Sequence, residues 1–82
     1  LERPYILVLH VENAENGRAA HAFVAQHVKK LSLKSKSVAP GAIELNYEVR
    51  LREEDCSFIN ELALLDGVTH TVLVSYNGDY MG

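Results

Sequence analysis

Four histidines and one cysteine are the side chains of this sequence that most readily bind metals or attack substrates. His21 and His27 are six residues apart in a helical pattern, which puts them on nearly opposite sides of a helix. His10 and His70 fall in two predicted strands, where they would lie either side by side or on opposite faces. The spacing of these histidines does not match that of known metal-ligand sets. We therefore expect ordinary histidines, with no bound metal and no cofactor.

Cys56 follows the acidic run Glu53-Glu54-Asp55 at the predicted start of a helix. A catalytic cysteine needs a base positioned beside it, and no histidine is near Cys56 in the sequence. Neighbouring acids also oppose formation of the reactive thiolate. We interpret the acids as complements to the helix dipole and expect no enzymatic activity.

The best candidate for a small-ligand site opens the first helix. It combines free backbone N–H groups, a flexible glycine and one cation, a set that suits a carboxylate or phosphate. The same residues would equally serve as an ordinary helix start, with either asparagine as the N-cap. The candidate residues are Asn13, Asn16, Gly17 and Arg18.

The elements that must position these residues follow from the spacing of apolar side chains. The first strand carries apolar residues on both of its alternating sides, which is typical of a strand covered on both faces. Residues 42–52 alternate strictly between apolar and polar, and Pro40-Gly41 predicts the turn before them. Gly67 suits the left-handed end of the second helix. The predicted elements are strand 5–11, helix 17–30, strand 31–38, strand 42–52, a second helix that starts at the acids 53–55 and has its apolar stripe over 58–65, and strand 68–76.

This order predicts one α+β domain over residues 1–82. We expect a ferredoxin-like βαββαβ sandwich, a four-stranded antiparallel sheet with two helices on one face. The first and third strands would be central, and the second, lysine-rich strand and the fourth strand would lie at the two edges.

The predicted sheet has a second face that no helix covers. We expect this face to be a contact surface, either for a second copy or for another domain, with a loop, the tail or residues of the longer chain as the alternative cover. Its predicted interface residues are Ile6, Val8, His10 and Leu73.

Composition narrows the classes of function. A net charge of −3 and a pI of about 5.7 argue against a nucleic-acid module, which usually has a basic face. A single cysteine excludes an internal disulfide, and no apolar run is long enough for a membrane span. Because the chain begins with Leu1, we expect a fragment of a longer protein.

The loop 13–18 resembles the corresponding loop of ACT-like regulatory domains. In that family a polar residue ends the first strand, and a glycine near the helix start lets small ligands approach backbone N–H groups. Asn13 and Gly17 occupy those places, while Asn16 stands where the family has proline. The resemblance implies an ACT-like fold and a possible amino-acid or anion ligand.

Residues 58–62, 66–68 and 72–80 resemble the cytosolic C-terminal tail of an uncharacterised family of bacterial inner-membrane proteins. The organisation of that family is similar to that of MgtC-type proteins, with membrane helices first and an ACT-like domain last. The resemblance implies a location on the cytoplasmic side of the inner membrane, in contact with the rest of its own chain.

Two functions therefore remain as expectations. The first is a non-catalytic regulatory or assembly domain that forms a homo-oligomer within a larger membrane protein. The alternative is a small-ligand sensor that binds an amino acid or anion at the first strand–helix loop.

Overall fold

A computed structural model describes residues 4–75 and the backbone of residues 80–81. The last part of the segment 72–80 that resembles membrane-protein tails, residues 76–79, lies outside the described residues. The predicted α+β class and element order are confirmed, and a short fifth strand follows. The elements are β1 (Pro4–Val11), α1 (Ala14–His27), β2 (Val28–Ala39), β3 (Ala42–Leu51), α2 (Phe58–Leu62), β4 (Val68–Ser75) and β5 (Tyr80–Met81).

All strand pairs are antiparallel, in the order β2-β3-β1-β4-β5. The predicted central positions of β1 and β3 are confirmed, and so is the edge position of β2. The prediction that β4 forms the other edge is wrong, because β5 pairs with Leu73 and Val74.

Strict alternation along β1 and β3 builds one buried side of the sheet. Leu7 and Leu9 are fully buried, while their neighbours Ile6 and Val8 stay half-exposed. Both helices pack on the buried side, which we call the covered face. Together the sheet and helices bury Leu7, Leu9, Val11, Ala20, Val24, Leu45, Tyr47, Val49, Phe58, Leu62 and Leu73 in one core.

The first helix ends earlier than its apolar spacing predicts. Val28 has an extended backbone (φ −115°, ψ 162°), is buried and pairs with Leu51 as the first residue of β2. Burial of this β-branched side chain in the sheet outweighs continuation of the helix. Lys29 and Lys30 therefore lie in a strand, and their predicted place in the last helical turn is wrong.

Two irregularities interrupt the pairing of β2 with β3. The second lies where Leu33 pairs with Tyr47 and Ser35 pairs with Asn46, so that Lys34 is the extra residue. A bulge of this kind shifts the side-chain alternation by one residue. The faces of β2 consequently do not follow the simple alternation of its sequence.

The acidic run does not start α2. Glu53 and Glu54 instead form a turn with positive φ values of 52° and 56°, so their predicted place at the helix start is wrong. The Asp55 side chain precedes the helix and accepts hydrogen bonds from Ser57 N and Ser57 Oγ at 2.9 and 2.7 Å. These bonds lower the pKa of Asp55.

Gly67 ends the α2 region in the left-handed conformation (φ 73°), as predicted. A Cβ atom at this position would overlap the side chain of Asn16. Gly67 is therefore required both by its backbone angle and by the close approach of the first helix.

Candidate functional site

The side of the sheet away from the helices carries an apolar strip on its two neighbouring strands β1 and β4. Ile6 pairs with Val74, and Val8 pairs with Val72. All four side chains are half-exposed, and within residues 4–75 both helices lie on the other side. We call this side the open face and these four residues the apolar strip.

Leu73 does not belong to the open face, and its predicted place there is wrong. It pairs with Leu7 on the covered face and is 1% exposed. Val72, Leu73 and Val74 are all apolar, so the sequence does not show which of them points outward. Pairing with β1 decides this, because Val72 and Val74 lie opposite Val8 and Ile6 while Leu73 lies opposite Leu7.

His10 lies at the end of the apolar strip in a small polar group. Its ring lies 5.5 Å from that of His70, and its Nε2 is 2.9 Å from Glu44 Oε1. Asn46 Nδ2 donates to Glu44 Oε2 at 2.9 Å. The bonds from Asn46 and His10 lower the pKa of the Glu44 carboxyl. The two histidines therefore share a face, and no group of three metal-binding side chains occurs among the described residues.

Further along β3, Arg50 Nη2 donates to Glu48 Oε2 at 3.1 Å. The open face thus has an apolar strip over β1 and β4, bordered on β3 by charged groups that bond one another. Paired charges lose less on leaving water than single charges do. This arrangement permits another surface to lie against the open face.

A second feature is a cleft on the covered side, between α1 and the outer half of the β2–β3 hairpin. Its volume is about 220 Å³. Apolar side chains of β2 and β3 form much of its wall, and three basic side chains stand around it. We call it the basic cleft, after Arg18, His21 and Lys36.

Tyr47 and His21 meet at the basic cleft. The Tyr47 hydroxyl lies 3.0 Å from His21 Nδ1, although the Tyr47 side chain is otherwise buried in the core. Burial raises the pKa of Tyr47. In the sequence, Tyr47 is one of the apolar positions of the alternating strand, and His21 is expected to be an ordinary histidine. Their contact spans 26 residues and has no local signal.

The four residues of the predicted ligand loop do not form one site in the structure. Gly17 and Arg18 line the basic cleft. Asn13 caps α1, with its Oδ1 accepting from Asn16 N at 2.9 Å, and the Asn16 side chain packs against Gly67. Gly17 is buried and its N–H donates to the Asn13 carbonyl at 3.0 Å, so the predicted free N–H at this glycine is wrong. Of the four residues, the exposed Arg18 stands where a ligand would reach it.

The remaining candidates lie apart from both features. His27 Nδ1 donates to the Phe23 carbonyl at 2.8 Å, and the two rings stack with centroids 4.2 Å apart. Cys56 is half-buried beside the core. Neither residue lies on the open face or at the basic cleft.

None of the helices that the structure describes is long and apolar enough to cross a lipid bilayer. The two described helices have 14 and 5 residues, whereas a span needs about 20.

No protein-family model and no curated protein match the chain. Among solved structures, the chain is similar to the solution structure of the C-terminal domain of the MgtC protein from Mycobacterium tuberculosis. The TM-score is 0.70 at 14% sequence identity, over 90% of this chain and 87% of that one. The predicted resemblance to an MgtC-type C-terminal domain is therefore confirmed, and the chain has the fold of that domain.

Proposed function

We propose that this chain is a non-catalytic assembly or regulatory domain of ferredoxin-like, ACT-like fold. It belongs to a longer membrane protein, lies on the cytoplasmic side of the membrane, and self-associates through the open face. The observation that carries the proposal is the apolar strip of Ile6, Val8, Val72 and Val74. An apolar patch with a polar border is typical of a protein contact site.

The chemistry of the open face favours a second copy as the partner. In a two-fold symmetric contact the same patch serves both subunits, so an apolar strip meets an apolar strip. The bordering polar groups already bond within each subunit, as Glu48 does with Arg50 and Glu44 with His10 and Asn46. Neither copy would have to supply a hydrogen-bond partner to these side chains.

Pairing through the sheet edges is the less favourable route. The β2 edge carries exposed lysines and two bulges, both of which discourage the addition of another strand. At the opposite side, β5 covers Leu73 and Val74 of β4, which shortens the free part of that edge. The open face is therefore the surface of the sheet best suited to contact.

The size of the open face predicts weak association. Four strands about 4.8 Å apart, each with about six residues rising 3.3 Å, span a flat area of roughly 400 Å². A typical stable complex buries about 800 Å² on each partner. Such a contact suits domains held in one assembly, where tethering supplies an effective concentration in the millimolar range.

Sedimentation equilibrium up to about 1 mM protein tests this proposal. We expect the average mass to rise above the monomer mass of 9.1 kDa with concentration. Val8→Lys should hold the chain monomeric, because it places a charge in the centre of the apolar strip. Lysine stays tolerable in the monomer, since its amine can extend to water.

Ser32→Lys is the matched control, because Ser32 is exposed and pairs with Glu48 on the same face but away from the strip. It should associate like the parent chain. A parent chain that stays monomeric at 1 mM, or a Val8→Lys variant that associates normally while folded by circular dichroism, would contradict the proposal.

The basic cleft supports a second candidate function, a small-ligand sensor. Its volume of about 220 Å³ exceeds the roughly 150 Å³ cavity that holds benzene, so an aromatic or branched carboxylate is of suitable size. Arg18 and Lys36 would bind the carboxylate, and the apolar wall would hold the side chain.

A thermal-shift series with amino acids and benzoate at millimolar concentration tests the sensor. A ligand that binds only the folded chain raises Tm. Arg18→Gln should abolish the shift, while Arg52→Gln, an exposed change outside the cleft, should keep it. No shift with any compound, or an equal shift in Arg18→Gln, would refute a carboxylate site here.

A further inference from the structure

Positive charge is concentrated on the outer strand of the sheet. β2 holds four of the chain's eight Lys and Arg residues within eight positions, and all four are exposed. Residues 16–43 contain no acid, so all eleven acids lie elsewhere in the sequence. We call the group Lys29, Lys30, Lys34 and Lys36 the basic strip.

Exposed apolar side chains accompany the basic strip. Leu33 is 48% exposed and Val38 is 66% exposed. The bulge at Lys34 turns Leu33, Lys36 and Val38 to the same side of β2, since they pair with Tyr47, Leu45 and Ile43 of the covered face. Without the bulge, Leu33 would point away from the other two.

Protection of a sheet edge explains the lysines but not these apolar side chains. Lysine alone discourages strand addition, whereas exposed leucine and valine on an edge strand favour it. A basic surface with apolar side chains directed outward is the combination that binds anionic membranes.

The acidic side chains of the adjoining strand β3 form hydrogen bonds with other residues of the open face. Glu44 bonds His10 and Asn46, and Glu48 bonds Arg50, all on the open face. These carboxylates lie on the opposite side of the sheet from Lys36, which pairs with Leu45. Lys36 is therefore separated from these carboxylates by the sheet, whereas Lys30 pairs with Arg50 and lies on the open-face side of the same outer strand.

We propose that the basic strip, with Leu33 and Val38, docks on the surface of an anionic lipid bilayer. The inference deepens the proposed function and rests on it for the nearness of a membrane. The strip runs about 23 Å along the strand, at roughly 3.3 Å for each residue. Lysines would contact lipid phosphates while Leu33 and Val38 enter the headgroup region. The apolar strip lies on β1 and β4, and β3 separates it from β2, so docking through β2 leaves the self-association surface accessible.

Vesicle co-sedimentation of the 82-residue chain tests docking. The probes are phosphatidylcholine vesicles with and without 30% phosphatidylglycerol. We expect binding to the anionic vesicles, loss of that binding at 0.5 M salt, and none to the neutral vesicles. Each lysine near an anionic leaflet contributes about fivefold in the partition coefficient, so Lys34→Gln/Lys36→Gln should weaken binding about 25-fold.

Ala25→Glu/Gln26→Glu is the matched control, because it lowers the net charge by the same amount at exposed positions of α1. It should bind several-fold better than the lysine variant. Leu33→Ser should also weaken binding, whereas the same change at Leu64, an exposed leucine outside β2, should not. Equal losses in the lysine and control variants would show that only net charge matters and overturn the proposal.

An acidic polymer separates lipid from other anionic partners. Binding to anionic vesicles but not to poly-glutamate at equal charge supports the lipid surface. Equal or stronger binding to poly-glutamate overturns it and points to an acidic protein. Sedimentation equilibrium contains no lipid, so a failure of self-association is distinguishable from a failure of docking.

Discussion

The two faces of the central strands are made of similar residues and have different surroundings. On β1, Leu7 and Leu9 are fully buried beneath the helices, while Ile6 and Val8 remain half-exposed. The side chains on both faces are large and aliphatic, so hydrophobicity does not account for the difference. The difference arises because both crossover helices pack on one side of the sheet.

This contrast shows where the chain carries more apolar surface than its own fold needs. A sheet face turned to water usually alternates with polar residues, as β3 does with Glu44, Asn46 and Glu48. β1 and β4 do not follow that rule at the apolar strip. The excess of apolar surface is confined to two neighbouring strands, which is the basis for proposing a contact there.

The largest expected difference is in the free energy of unfolding, when a valine on each face is replaced by alanine. Val49→Ala should lower the free energy of unfolding by about 2–3 kcal/mol, since Val49 is fully buried and its loss leaves a cavity. Val8→Ala on the open face should lower it by less than about 1 kcal/mol.

Urea denaturation measures both values, at a micromolar protein concentration at which the weak association proposed above would be negligible. The comparison between the faces fails if the two variants lose equal stability, because Val8 would then be as well covered as Val49.

A smaller change in stability is expected at a polar side chain that lies on the covered face. Thr71 pairs with Leu9 on that face, and its buried hydroxyl has no hydrogen-bond partner among the described residues. Thr71→Val keeps the shape and removes the unsatisfied group, so it should raise stability by about 1 kcal/mol.

Thr69→Val is the control, because the exposed Thr69 hydroxyl donates to the His10 carbonyl at 3.3 Å. That variant should gain nothing in the same thermal or urea measurement. A loss of stability in Thr71→Val would indicate that the hydroxyl has a partner that the geometry does not show.

Strict alternation made the faces of β3 predictable from sequence. Its apolar residues from Ile43 to Leu51 are all buried, as the period of two requires. The same reasoning failed for Leu73, because three consecutive apolar residues carry no alternation. It also failed for β2, where a bulge at Lys34 changes the side to which later residues point.

The candidate sites depended on contacts between distant elements. The sequence placed Gly17 and Arg18 in a ligand loop, and both do line the basic cleft. Lys36 and Tyr47 reach the same cleft from two other strands. Their approach is set by the hairpin register and by the position of α1, neither of which is encoded in local spacing.

The smallest effect concerns the polar end of the open face. Hydrogen bonds from Asn46 and His10 hold the pKa of Glu44 below its ordinary value of 4.5. Their stabilisation is therefore complete above pH 4.5 and is lost as pH falls through the lower pKa of the folded chain. Glu44→Gln should flatten this part of the Tm profile between pH 6 and 3, with exposed Glu12→Gln as the control. Asp55, whose pKa is lowered by Ser57, contributes in the same direction in every variant. Identical profiles for the parent chain and Glu44→Gln would mean that the bonds from His10 and Asn46 add no stability to the open face.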